Sequence, residues 1–238
     1  MLHVQPIKND PRKRPESPKK VRRPRTLPTT TPATAALDTM RSILLHGRKP
    51  PLRGGGAHHQ GHTVCRVIRN LLIRVAVLDD SDDIAVVHVE AWRAAYRGLM
   101  PQHVLDGLSV SRRADGWREI LQAQDGQTLV ATDSDEALLG GFINVGVSRD
   151  EDAAARVGEM RSLYLREQWW NTGAGGQMHD AGLAHLRGRF DEATLWVLDT
   201  NRRGREFYTR RGWKPDGAVK TEDLGGVTLS DIRYRRPL

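Results

Sequence analysis

Residues Glu159–Gly176 read EMRSLYLREQWWNTGAGG. A strand-forming run ending at Leu165 is followed by a short polar loop. Gly173, Ala174, Gly175 and Gly176 then open a helix. The first amides of a helix have no intrahelical partner, and glycine puts no side chain in front of them. The turn therefore predicts an anion cradle, sized for phosphate or pyrophosphate. A plain strand-to-helix loop is the simpler reading of the same residues. The dinucleotide pattern G-x-G-x-x-G/A is not met. Met178 occupies its third position, and Gly173 lies eight residues past Leu165 rather than next to the strand.

Elements can be read outward from this turn in both directions. Leu72–Val77 predicts a first strand. Asp79, Asp80, Ser81, Asp82 and Asp83 supply caps and acids for a helix carrying Ile84, Val87, His88, Ala91, Trp92 and Ala95 at helical spacing. A second helix is expected over about 102–122, and strands over Thr128–Ala131 and Leu138–Val147. Gly140 and Gly141 either weaken the second of these strands or allow a bulge. A fourth strand, about 157–165, leads into a helix at about 175–189. A fifth strand at 193–198, a helix at 203–211 and two strands over 213–236 around Leu224–Gly226 complete the chain. Interleaved strands and helices mean a sheet covered on both faces.

Four blocks in this order resemble the GCN5-related N-acetyltransferase (GNAT) family over roughly residues 72–238. They are IRVAVLDDSDDIAVVHVEAWRAAYRG (73–98), the strand with Glu159, the turn WNTGAGG (170–176), and N-x-x-G-x-x-F-Y-x-x-x-G-W (201–213). The resemblance implies an α/β (α+β) fold. Its central sheet is mixed and largely antiparallel, with about six to seven strands flanked by about four helices. It implies acetyl-CoA as co-substrate and direct transfer of acetyl to a primary amine. In that reading Trp170, Asn171, Thr172, Gly173, Ala174, Gly175 and Gly176 cradle the pyrophosphate. The backbone around Leu163 and Leu165 receives the thioester, and Asn201 bonds the pantetheine arm. The family's turn is Q/R-x-x-G-x-G/A, and Trp170 stands where its polar residue belongs. Gly204 stands where alanine is usual.

Two side chains are candidates for proton transfer. Simple alternation puts Glu159, Arg161, Leu163 and Leu165 on one strand face and Met160, Ser162 and Tyr164 on the other. A carboxylate in a central strand is either paired, with Arg161 or another arginine, or a base that takes a proton from an ammonium. Tyr208 resembles the family tyrosine that protonates the departing thiolate, and core packing is its other reading. Asn201 is equally a helix N-cap. Trp92, Tyr96 and Arg97 border the acceptor site in the resemblance, and the acceptor is a small-molecule or peptide amine. A catalytically inactive CoA-binding or nucleic-acid-associated module on the same fold is the rival reading.

Charge is divided sharply along the chain. Residues 1–70 hold 15 Lys and Arg against 3 Asp and Glu, whereas residues 71–238 hold 22 against 26. Nine of the twelve prolines also lie in the first 70 residues, so these predict a disordered basic extension and 71–238 the folded domain. No aromatic residue interleaves the basic ones, so nucleic acid is unexpected beyond weak contacts by this tail. His58, His59, His62 and Cys65 are residue types that zinc accepts. No element holds them in place, so no metal site is expected. The single cysteine excludes an internal disulfide and suits a cytoplasmic location. No run of 18 apolar residues occurs, so no membrane span is expected. A homodimer is compatible with this reading.

Overall fold

A computed structural model describes residues 71–133, 138–224 and 226–238. The N-terminal extension, with the His58–Cys65 grouping, lies outside the described residues. The chain runs β1 (Leu71–Val75), α1 (Ser81–Ala95), α2 (Gln102–Asp106), α3 (Val110–Ala123), β2 (Gly126–Asp133), β3 (Leu138–Val147) and β4 (Val157–Leu165). It continues through α4 (Ala174–Leu186), β5 (Glu192–Leu198), α5 (Arg202–Thr209), β6 (Lys214–Leu224) and β7 (Val227–Pro237).

Capping decides where the first helices begin and end. Asp80 is buried before α1. It accepts both Arg74 guanidinium nitrogens, at 2.7 and 2.8 Å, and the Val77 amide at 2.7 Å, which ties β1 to the helix start. The single helix expected over 102–122 is two helices. Gly107 and Leu108 break it, and Ser109 caps α3 by accepting from the Arg112 amide. Arg93 reaches across from α1 to donate to the Leu105 and Leu108 carbonyls at 3.2 and 3.1 Å. Those carbonyls lie at the end of α2, where helical partners run out, so the break is satisfied from outside.

The seven strands form one sheet in the order β1-β2-β3-β4-β5-β7-β6. All neighbours are antiparallel except β4 and β5. The register of β4 and β5 pairs only Val157–Glu159 with Glu192–Thr194. Beyond Glu159 the two strands part, so the sheet opens between them toward their C-terminal ends. The edge of β4 that faces β5 there has no ladder partner.

Two bulges shape the sheet. In β3, Ala131 pairs with Gly141 and Thr132 with Leu139, so Gly140 is the extra residue. A Cβ on Gly140 would meet Trp169 ring atoms 2.0 Å away, and buried Trp169 seats on this bare backbone. In β4, Val145 pairs with Met160 and Asn144 with Ser162, so Arg161 is extra. This corrects the simple alternation. Glu159 lies opposite Gly146 while Leu163 lies opposite Ile143, so the two point to opposite faces. Leu163 and Leu165 face α4, whereas Glu159, Ser162 and Tyr164 face α1 and α3.

The core has two sides. Ile143, Val145, Met160 and Leu165 pack with Met178, Leu183 and Leu186 of α4. Gly182 lets that helix lie on the sheet, since a Cβ there would be 2.4 Å from Ile143. On the other face Val130 and Phe142 pack under Ile84, Ala85 and Val87 of α1 and Trp117 of α3. No helix among the described residues is long and apolar enough to cross a membrane.

Candidate functional site

The glycine turn sits where β4 ends, and hydrogen bonds from its own side chains hold it. Trp170 Nε1 donates to the Leu165 carbonyl at 3.1 Å, and Thr172 Oγ1 to the Trp169 carbonyl at 2.8 Å. Asn171 and Gly173 both have positive φ, 62° and 91°. The glycines do different things. Gly173 caps α4, and a Cβ there would meet nothing within 4 Å, so its surroundings are open. A Cβ on Gly175 would meet Phe207 at 3.5 Å and Leu165 at 3.6 Å, so Gly175 faces the core beside α5. Gly176 leaves room for the Arg211 guanidinium, which lies 3.9 Å from the Phe207 ring centre.

A cation stands at the turn although its sequence carries none. The Arg203 guanidinium lies 3.9 Å above the Trp170 ring, with an Asn171 Oδ1 contact at 3.4 Å. The Ala174 amide already donates to Thr172 Oγ1 and the Gly176 amide to the Gly173 carbonyl, whereas the helix N-terminus at Gly175, the open left-handed glycine and this guanidinium together fit a pyrophosphate. Asn201 caps α5 by accepting from the Gly204 amide at 3.0 Å, which uses one lone pair of its oxygen. Gly204 suits this cap, since a Cβ would be 3.0 Å from Asn201 Nδ2.

The opening between β4 and β5 collects tyrosines. Tyr208 of α5 packs on the α4 side of the sheet, against Phe207 and Trp213. Its phenol nevertheless feels Tyr164, which projects from the other face. Burial, and secondarily Tyr164, push the Tyr208 phenol well above the ordinary tyrosine range, so it stays protonated. Tyr96 is buried and faces Tyr164, and its phenol is likewise raised, first by burial. Trp92 lies 5.1 Å from Tyr96 and 6.3 Å from Tyr164 between ring centres. Arg97, expected with them, is exposed and stands apart.

Asp231 is the acid of this region, and sequence reading missed it. It pairs in register with Leu198 at the end of β5. Leu198 and Leu229 pack with Trp92, Tyr96 and Tyr164, so the same face of β7 carries Asp231 toward the tyrosines. Burial raises its pKa and Lys220 opposes the shift. Glu159 lies deeper, where β4 and β5 still pair. It accepts from the Arg149 amide at 3.1 Å and from that residue's guanidinium at 3.2 and 3.4 Å. Its side chain is 7% exposed. Its arginine is thus Arg149, whereas Arg161 pairs with Asp125.

Two buried histidines are fixed as neutral acceptors. His88 Nδ1 accepts from Trp117 at 3.1 Å, and His179 Nε2 from Trp213 at 2.9 Å. Burial lowers both pKa values, that of His88 strongly.

A mixed sheet parted between its two parallel strands, with a glycine-headed helix at the parting, defines the N-acyltransferase class. A profile of the acetyltransferase (GNAT) family matches residues 90–213. The chain belongs to the GNAT family. It is 29% identical over 162 residues to the uncharacterized N-acetyltransferase YuaI of Bacillus subtilis, covering 67% of this chain and 89% of that one. A probable N-acetyltransferase of Mycobacterium tuberculosis is 24% identical over 178 residues, covering 70% of this chain and 93% of that one. The fold matches PaiA N-acetyltransferase from Thermoplasma acidophilum, solved with coenzyme A. The TM-score is 0.54 and identity 20%, over 71% of this chain and 99% of that one. It also matches YncA from Salmonella typhimurium, solved with acetyl-CoA. There the TM-score is 0.55 and identity 17%, over 71% and 94% of the two chains.

Proposed function

We propose that this acyltransferase moves an acetyl group from acetyl-CoA to a primary amine by direct attack, at the opening between β4 and β5. The observation that carries this is the parting of β4 from β5 beyond Glu159, beside the open Gly173 turn. The amides of α4, with Arg203, hold the pyrophosphate, and Asn201 orients the pantetheine arm. Bound there, acetyl-CoA supplies an activated acyl carbon and a thiolate leaving group.

The unpaired edge of β4 near Leu163 presents backbone amides that polarise the carbonyl. Tyr208, kept protonated by burial, donates its proton to the departing sulfur. Asp231 faces the tyrosines and takes the proton of the incoming ammonium, a role its raised pKa suits. Glu159 remains the second candidate for that base, and its Arg149 partner gives it a structural task as well. No covalent acyl-enzyme is needed for such a transfer.

The test is thiol release from acetyl-CoA across a panel of small amines and peptide N-termini. Mass spectrometry of the acceptor is read alongside. Amine-dependent release with an acetylated product is expected. Coenzyme A binding without amine-dependent release would instead identify a non-catalytic CoA-binding module.

A further inference from the structure

Arg113, on the first turn of α3, is a buried guanidinium with no anion. The residue is 6% exposed, and its Nε and Nη2 are buried without a hydrogen-bond partner. Among the described residues it forms no ion pair. Its guanidinium carbon lies 5.2 Å from the Trp92 ring centre. Ser162 Oγ is also buried and unpartnered on this face of β4. The Trp92 indole N–H, directed toward the Tyr164 phenol, does not meet hydrogen-bond geometry with it. The His88 ring stacked on Tyr164 at 5.1 Å is neutral, so it supplies no second cation beside Arg113.

A buried charge without a counter-charge is among the costliest things a fold can hold, and packing alone does not require it. A guanidinium offers two parallel donors that match a carboxylate. Arg113 and Asp231 act on the Tyr164 phenol with opposite sign, and Asp231 shares the face of β7 that Leu229 turns toward Tyr164 and Trp92.

We propose that Arg113 binds an acidic group of the acceptor, so that the substrate is an amine that also carries a carboxylate, as an amino acid does. Arg113 Nε and Nη2 take the carboxylate, and the ammonium end lies toward Asp231. This rests on the acetyl-transfer reading, and it adds a substrate class and a recognition residue.

The test compares amino acids with the amines that lack only the carboxylate: alanine with ethylamine, and phenylalanine with phenethylamine. In the wild-type chain kcat/KM should favour the amino acid by about tenfold to a hundredfold, the scale of a charge-assisted hydrogen bond. In Arg113→Gln that ratio should collapse toward unity. A second arm needs no turnover: calorimetry of 3-phenylpropanoate with coenzyme A present, which should bind the wild type and not Arg113→Gln. Arg113→Met serves as the folding control, and its Tm should match or exceed that of the wild type. If no amine is acetylated, the transfer reading fails, and the phenylpropanoate arm still decides Arg113. Equal kcat/KM for amino acids and amines overturns the proposal, as does phenylpropanoate that binds neither protein or binds both equally.

Discussion

Replacing Gly173 with alanine tests the cradle at the one glycine whose backbone demands it. Its φ of 91° lies in the left-handed region, where an L side chain costs about 1–2 kcal/mol. A domain of this size then loses about 2–8 °C of Tm. The new methyl group meets no protein atom within 4 Å, so nothing else in the fold is disturbed. It projects instead into the space assigned to the pyrophosphate. Coenzyme A affinity should fall by about tenfold or more, the scale of losing a charge-assisted amide contact. Gly175→Ala is the matched control. Its Cβ makes ordinary contacts at 3.5 and 3.6 Å in helical backbone, and alanine is the better helix former. That variant should keep its Tm or gain slightly. Calorimetric melting and isothermal titration of coenzyme A read both quantities. If Gly173→Ala binds coenzyme A as tightly as the wild type and melts with it, the turn is misassigned.

Removing Arg203, which stacks on Trp170, should weaken coenzyme A binding by about tenfold without lowering Tm; equal affinity in Arg203→Ala would put that cation outside the site. Arg149→Ala strands the buried Glu159 carboxylate and should cost up to about 3 kcal/mol in urea unfolding, whereas an unchanged midpoint would mean the pair is inert. Glu159→Gln separates the two roles, because a structural glutamate lowers Tm and spares kcat while a base does the reverse. Asp231 has its folded pKa raised above 3.8, so its stabilising contribution is complete below that pH and is lost as pH rises through the folded value. The Tm of Asp231→Asn should therefore gain on the wild type between pH 4 and pH 8, and a gap that does not change with pH contradicts the burial argument.

Much of this architecture was legible in the sequence because each element announced itself locally. The strand at 157–165, the glycine turn and the Asn201–Trp213 block lie where expected, since periodicity and capping chemistry are local signals. The bulge at Arg161 was not legible. It depends on how β4 aligns with β3, and one extra residue moved Glu159 to the face opposite Leu163. The helix break at Gly107–Ser109 was missed for a similar reason, because the carbonyls it frees are satisfied by Arg93 from another helix. At the turn, the sequence showed Trp170 in place of a polar residue. That Arg203 supplies the cation by stacking on that ring is a fact of packing, thirty-three positions away. Asp231 and Arg113 carried no motif at all. Only the convergence of α1, α3, β4 and β7 on Tyr164 singles them out.

Acid catalysis by Tyr208 is the step on which the account turns, and single-turnover acetyl transfer by Tyr208→Phe measures it without interference from product release. The change removes one hydroxyl and keeps the ring against Phe207 and Trp213. The transfer rate should fall about tenfold to a thousandfold at unchanged acetyl-CoA affinity. Wild-type transfer should persist at pH values above the ordinary tyrosine range, because the folded phenol is held protonated there. A phenylalanine variant that transfers acetyl at the wild-type rate would return Tyr208 to the core and remove it from the chemistry.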